Sequence, residues 1–176
     1  RRQRQMCIRD RVCALGGEML SLGQIAANRA EGYAMIAQAL ASGAAAEAFA
    51  RMVHMLGGPS DLLDRPAAHL ARAPVNVPVP ARATGFVQQM ATRDIGLIIV
   101  GLGGGRKRPE ETINPSVGIA AMVEIGQHVT RGEPLAYIHA ATPEAASWAA
   151  GLMAEAVVIG AEPAPKTPLI LDRIVP

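Results

Sequence analysis

The sequence predicts an α+β chain, helical in its first part and strand-rich in its second. Three observations carry this. Up to about residue 56 the apolar residues recur three and four apart, the spacing of one helix face. From Pro74 onward they alternate, or form short runs punctuated by glycine and proline, which is how strands read. At 176 residues the chain can hold one large domain or two small ones, and the change of pattern places a boundary between about Ala71 and Val75.

Half of the residues are apolar but only 3% are aromatic, so the core must be built from Ala, Val, Leu, Ile and Met. The charged share of 18% is below the usual quarter or so, which implies surface that another body covers. The net charge of +2 is confined to the head: Arg1, Arg2, Arg4, Arg9 and Arg11 stand there against Asp10, and the rest is slightly acidic. The body therefore gives no charge argument for binding nucleic acid or a membrane. Residues 1–11 share no composition with the rest of the chain and are expected to be a non-native basic leader; trimming them is expected to leave the melting temperature unchanged. Cys7 and Cys13 make no C-x-x-C pair and no disulfide framework, which fits a reducing, cytoplasmic setting. No apolar run approaches the roughly 20 residues that span a bilayer.

Taken in order, Val12, Leu15 and Met19 mark a first helix ending near Leu22. Gly16 and Gly17 inside it imply either a weakened helix or close approach by another. Asn28 can cap a second helix to Ser42, with Tyr33, Ile36, Ala37 and Leu40 as its stripe; Gly43 stops it. A third runs from about Ala44 to Leu56, with Phe49, Met52, Val53 and Leu56 on one face and a Glu47–Arg51 pair on the other. Gly57-Gly58-Pro59-Ser60-Asp61 ends it and can cap a short turn at Leu62–Leu63. Val75, Val77 and Val79 alternate with Asn76 and Pro78, and the prolines at 74, 78 and 80 restrict this segment to a linker or an edge strand. Gly85–Met90 reads as a strand. Asp94 to Val100 is a buried strand or a short helix, which periodicity cannot decide. Gly118–Val123 and Pro134–His139 read as strands about a turn at Gly126–Gly132. Thr142, Pro143 and Glu144 open a helix that continues through Ala145, Trp148, Ala149, Leu152 and Ala156. Val157–Ile159 and Leu169–Leu171 read as strands separated by a connector from Pro163 to Pro168.

The chemistry-bearing residues are scattered. His54 lies on the polar face of its helix. His69, His128 and His139 stand apart from any Cys or carboxylate at ligand spacing, so no metal site is expected. Ser60, Ser116 and Ser147 lack a nucleophile-elbow setting. Glu110 and Glu111 are adjacent and point apart, which argues against a shared acid/base dyad. Gly126-x-x-Val129-x-x-Gly132-x-x-Leu135 has the turn and strand spacing of lipoyl- and biotinyl-type barrels. The only lysines, Lys107 and Lys166, lie outside that hairpin, so a swinging-arm carrier is excluded on chemistry. The stretch from Gly101 to Gly118 packs glycines with Arg106, Lys107 and Arg108 and invites comparison with a phosphate cradle. It is neither a P-loop nor a dinucleotide fingerprint. The competing reading is a tight connection between packed elements.

Seven segments resemble the C-terminal part of the pyrimidine nucleoside phosphorylase family. They are Gly17-Glu-Met-Leu20, Phe49-Ala-Arg-Met-Val53, Gly57-Gly-Pro-Ser-Asp61, Gly85-Phe-Val87, Gly103-Gly-Gly-Arg106, Thr112-Ile-Asn-Pro-Ser-Val-Gly118 and Pro134-Leu-Ala-Tyr-Ile-His-Ala140. Asn114-Pro115 departs from the family's usual Asp followed by an aromatic. The resemblance implies that residues 12–72 are the helical end of a central α/β domain. It implies that residues 73–176 are a C-terminal α+β domain of barrel-sandwich, hammerhead type. It implies a pentosyltransferase that converts thymidine and phosphate into thymine and 2-deoxyribose 1-phosphate, with no cofactor beyond phosphate as co-substrate. It also implies a cytoplasmic homodimer binding neither nucleic acid nor membrane. The family's phosphate and base contacts lie upstream of the matching segments. No catalytic, substrate-binding or metal residue is therefore expected here, and the chain alone is expected to be inactive. The alternative is a non-catalytic interaction or scaffold module of the same fold. On either reading the glycine stretch is architecture, anchored by Arg106–Arg108.

Overall fold

The computed structural model describes residues 2–165, 168 and 170–174, with side chains from residue 8 onward. They divide into two compact units, one running to His69 and joined by the segment 170–174, the other beginning at Leu70.

In the first unit, α1 (Arg2–Leu22) and α2 (Arg29–Ser42) are followed by α3 (Ala44–Met55) and the single turn α4 (Pro66–His69). Asn28 caps α2: its side chain accepts from the Glu31 amide at 3.0 Å, and Glu31 reaches back to the Ala27 amide at 2.8 Å, a reciprocal arrangement that satisfies two exposed helix-end donors. Gly43, with φ of 87°, ends α2 and opens α3.

The glycines of α1 mark close approach. A methyl group on Gly17 would lie 2.7 Å from the Tyr33 amide nitrogen, and one on Gly32 would lie 2.6 Å from the Gly17 carbonyl oxygen. The buried face of α1 is Cys13 and Gly17. The stripe that marks this helix in sequence faces outward instead: Val12, Leu15 and Met19 are 47%, 54% and 72% exposed. Small residues let two backbones touch, and a large side chain there would hold them apart. The stripe of α2 is likewise turned, with Gly32 buried, Ile36 and Ala37 half-buried, and Tyr33 and Leu40 exposed. No residue of α3 is fully buried, and Glu47 and Arg51 are not among the ion pairs of the described residues. The head belongs to α1, where Arg9 donates to the Ala37 carbonyl at 3.4 Å and Tyr33 to Asp10 at 3.5 Å.

The second unit holds two three-stranded antiparallel sheets. In one, β5 (Pro134–Ala140) lies between β1 (Val75–Pro80) and β3 (Gly118–Ala120); in the other, β2 (Gly85–Met90) lies between β4 (His128–Val129) and β6 (Val157–Gly160). The Pro-bearing β1 is an edge strand, one of the two roles its prolines left open. β3 stops three residues short of the expected Val123, because Ala121 takes a left-handed φ of 50° that no β-ladder accommodates. The expected turn at Gly126–Gly132 contains the two-residue β4. Ile170 and Leu171 form no strand, and Leu169 lies outside the described residues.

Asp94 to Val100 is helical: α5 (Thr92–Ile99) buries Ile95 and Ile98 and runs into a π-helical turn, Val100–Gly104, that buries Leu102. α6 (Pro143–Glu155) starts at Thr142, whose hydroxyl oxygen accepts from the Ala145 amide at 3.2 Å. It buries Ala146, Ala149 and Met153, with Trp148 and Leu152 turned outward. These join Val79, Val87, Val129, Leu135 and Ile138 in one continuous core.

Candidate functional site

The glycine stretch is the first place to look for chemistry, and its geometry is that of a packed connection. Gly103 takes a φ of 92° inside the π-helical turn, a conformation that costs glycine little. Gly101 lies so close to the Trp148 ring that a methyl group would collide with it, and one on Gly105 would stand 2.8 Å from Val100. The loop then closes on itself. The Asn114 amide donates to the Gly103 carbonyl at 2.8 Å, and the Asn114 side-chain oxygen accepts from the Ser116 amide and hydroxyl at 3.0 and 2.7 Å. Arg106 donates to the Pro109 carbonyl at 3.3 Å. Glu111 accepts from the Lys107 amide at 2.8 Å, occupying with its own negative charge a donor that a phosphate cradle would present.

The remaining candidates come no closer together. Ser116 is spent on Asn114, and Ser60 and Ser147 are exposed. Glu111 turns to Lys107, so Glu110–Glu111 forms no dyad. His54 is exposed, and His139 is half-buried on β5 opposite Gly118. His128 stands edge-on to Phe86 with ring centres 5.0 Å apart. His69 is the exception: it closes α4 with Nε2 2.6 Å from Asp61, which also lies 3.7 Å from Arg65. A turn followed by α4 brings this pair together across eight positions, a fold-back that no single helix or strand across the segment would produce. Among the described residues no three His, Cys, Asp or Glu side chains converge as a metal site, and Lys166 lies outside them.

The strongest polar contact is one that sequence reading missed. Arg173 donates twice to Glu18, at 2.7 and 3.0 Å, and Arg29 stands 3.9 Å from the same carboxylate. The partners lie 155 positions apart, so no local signal announces them. The hydrogen bonds from Arg173 hold the Glu18 carboxyl below the usual carboxylate range and hold Arg173 above its own. Beside this pair, a cavity of about 760 Å³ opens between Leu15, Leu22 and Tyr33 on the helices and Ile170 and Ile174 on the returning segment. Burial, then the charge of Asp10, raises the Tyr33 hydroxyl. In the second unit a cleft of about 340 Å³ between α5 and α6 is walled by Leu97, Trp148 and Leu152, with Asp94 and Glu155 at its rim. The larger hollow is also lined by Arg29, Asp172 and Arg173, both arginines turned to the Glu18 carboxylate; among the described residues no Ser, Cys or His lines either hollow.

Comparison with known proteins gives the family. Residues 86–160, from β2 to the end of β6, match the family described as the pyrimidine nucleoside phosphorylase C-terminal domain. A thymidine phosphorylase of Burkholderia orbicola (strain MC0-3) is 52% identical over 153 residues, 87% of this chain and 35% of that one. One from Agrobacterium fabrum is 49% identical over 133 residues, 76% of this chain and 30% of its own. A third, from Mesorhizobium japonicum, is 43% identical over 175 residues, 99% of this chain and 40% of its own. The chain thus spans between 30% and 40% of the length of these relatives. It carries the C-terminal domain of the pyrimidine nucleoside phosphorylase family and is related to thymidine phosphorylases along most of its length.

Proposed function

We propose that this chain is the C-terminal part of a thymidine phosphorylase, a pentosyltransferase of pyrimidine nucleoside salvage and catabolism. In the reaction, phosphate attacks the anomeric carbon of thymidine. The C–N bond to the base breaks, thymine leaves, and 2-deoxyribose 1-phosphate forms. The observation that carries this reading is the 52% identity to the Burkholderia orbicola enzyme over 87% of the chain. On this reading residues 12–72 are the helical end of the central α/β domain. Residues 73–176 are the C-terminal domain, its two sheets forming the halves of a barrel-sandwich of hammerhead type. The active protein is a cytoplasmic homodimer that uses phosphate as co-substrate and no other cofactor.

Within this assignment the chain supplies scaffold, and the reacting groups come from the rest of the enzyme. Two features support that. Arg106 and Glu111 are engaged within their own loop, and the histidines and serines do not converge on one point. The test is phosphorolysis of thymidine. The purified chain is expected to release no thymine above a no-enzyme blank. A chimera in which it replaces the matching 35% of the Burkholderia orbicola enzyme is expected to release thymine at a rate within about tenfold of the parent, the loss that about 1.4 kcal/mol of barrier represents. Turnover by the chain alone overturns the scaffold role, and a folded but inactive chimera overturns the assignment. The second outcome favours a non-catalytic interaction module of the same fold.

A further inference from the structure

We infer that the cleft between α5 and α6 binds an aliphatic ammonium, a small organic cation with an apolar body. The inference does not depend on the assigned activity and adds a ligand site to it.

The cleft belongs wholly to the second unit. Leu97 and Ile98 line it from α5, Trp148 and Leu152 from α6, and Asp94 and Glu155 stand at its rim. The same two helices give Ile95, Ala146, Ala149 and Met153 to the continuous core, so the packing that forms the cleft is complete within this chain. Its volume is about 340 Å³, and ligand pockets run from roughly 300 to 1,000 Å³. Leu97 and Leu152 stay open to water on its walls, and an aliphatic chain laid on them would remove apolar surface from water on both sides.

The second observation sets the sign of the occupant's charge. The ionisable groups lining the cleft are the carboxylates of Asp94 and Glu155, with no cation among them. Arg82 reaches Glu155 from outside at 3.5 Å, but those side chains are 60% and 64% exposed, where an ion pair counts for little. Asp94 takes part in no ion pair among the described residues. A cation gains from both carboxylates, and an anion of the same size is repelled.

The third observation is the aromatic ring between them. A methyl group on Gly101 would collide with the Trp148 ring, so the backbone of the glycine stretch seats the indole closely. The ring is nevertheless 46% exposed and lines the cleft. Indole is the aromatic face that attracts a cation most strongly. Aliphatic walls, an indole and two carboxylates together match an ammonium on an apolar stem. A lysine side chain from another part of a longer protein has the same chemistry and is the competing occupant.

Trp148 is the single tryptophan of the chain, so its fluorescence reports on the cleft. The experiment titrates the 176-residue chain with n-hexylammonium, and with hexan-1-ol and hexanoate as neutral and anionic counterparts of equal length. A saturable change is expected with hexylammonium, at a half-saturating concentration at least about fivefold below that of the alcohol, with hexanoate weakest. Asp94 is exposed and outside the core, so Asp94→Asn is expected to fold as the parent does, by circular dichroism. It is expected to bring the ammonium to within about twofold of the alcohol. Glu155→Gln, whose carboxylate Arg82 already offsets, is expected to have the smaller effect. No saturation with hexylammonium overturns the proposal. So does equal binding of the alcohol, which would make the cleft an apolar hollow without selection for charge. So does an ammonium preference that survives both substitutions. A folded chimera with the Burkholderia orbicola enzyme that no longer takes up hexylammonium, by calorimetry, also overturns it, because side chains of the longer protein would then fill the cleft.

Discussion

Gly17 and Gly151 both sit inside helices, and their surroundings give them opposite roles. In an exposed helix, replacing glycine by alanine stabilises by up to about 1 kcal/mol, because the unfolded chain loses freedom it would otherwise regain. Gly151 has no neighbouring atom within 4 Å of where a methyl would stand, so Gly151→Ala is expected to raise stability by about 0.5–1 kcal/mol. At Gly17 the methyl would stand 2.7 Å from the Tyr33 nitrogen and 2.8 Å from the Arg29 carbonyl. Those are backbone atoms and cannot swing away. Gly17→Ala is therefore expected to cost about 1–3 kcal/mol despite its better helix propensity. Urea unfolding of the two variants checks both signs. The sequence raised close approach at Gly16–Gly17 as one of two readings; which one holds depends on whether a second helix arrives, and local spacing carries no record of that.

Among the elements, the segment 170–174 shows how a contact between distant stretches is made and lost. It is tied to α1 by Arg173 and Glu18. Because the folded protein holds the Glu18 carboxyl low, the bond contributes stability above the ordinary carboxylate value of about 4.3. That contribution is lost as pH falls through the lowered folded value. Acidification from pH 6 to pH 3 is therefore expected to lower the amide protection factors of residues 170–174, measured against the intrinsic exchange rate at each pH, and Glu18→Gln is expected to lower them already at pH 6. Equal protection at both pH values would show that the pair does not hold the segment. The sequence leaves α5 open between strand and helix and does not announce α4. The helices α1, α2, α3 and α6 were legible in sequence as helices, with starts at Asn28 and Thr142 that the cap hydrogen bonds bear out. Their packing faces were less so. In α6 the stripe Ala145, Trp148, Ala149, Leu152 and Ala156 is met in part: Ala149 and Ala156 are buried and Ala145 half-buried, but Trp148 and Leu152 face outward and Ala146 and Met153 join the buried side. Periodicity gives the angle between residues, while the phase depends on which side chains are small enough for a sheet to approach.

In the molecule as a whole, apolar burial is divided unequally. The continuous core lies entirely between Val79 and Val157, in the second unit. Among the described residues, the first unit's fully buried apolar side chains are Cys13 and Ala26. A chain of residues 70–165 is accordingly expected to unfold in one cooperative calorimetric transition, as single domains with a complete core do. Residues 12–69 alone are expected to melt broadly, because short helices without a shared core are marginal in water. A sharp transition for the helical piece would contradict this.

The sequence by itself determined the class of each half, the caps at Asn28 and Thr142, the restriction of β1 to a linker or an edge strand and the kinship with the pyrimidine nucleoside phosphorylases. Each of these comes from residues close together in the chain or from motifs kept in order. The tertiary structure alone decided that Asp94 to Val100 is helical and that β3 ends at Ala120. It also turned the stripe of α1 outward and brought Arg173 to Glu18 and His69 to Asp61. These outcomes are set by what stands across from each residue in space, and the free energy of such contacts is absent from any local pattern.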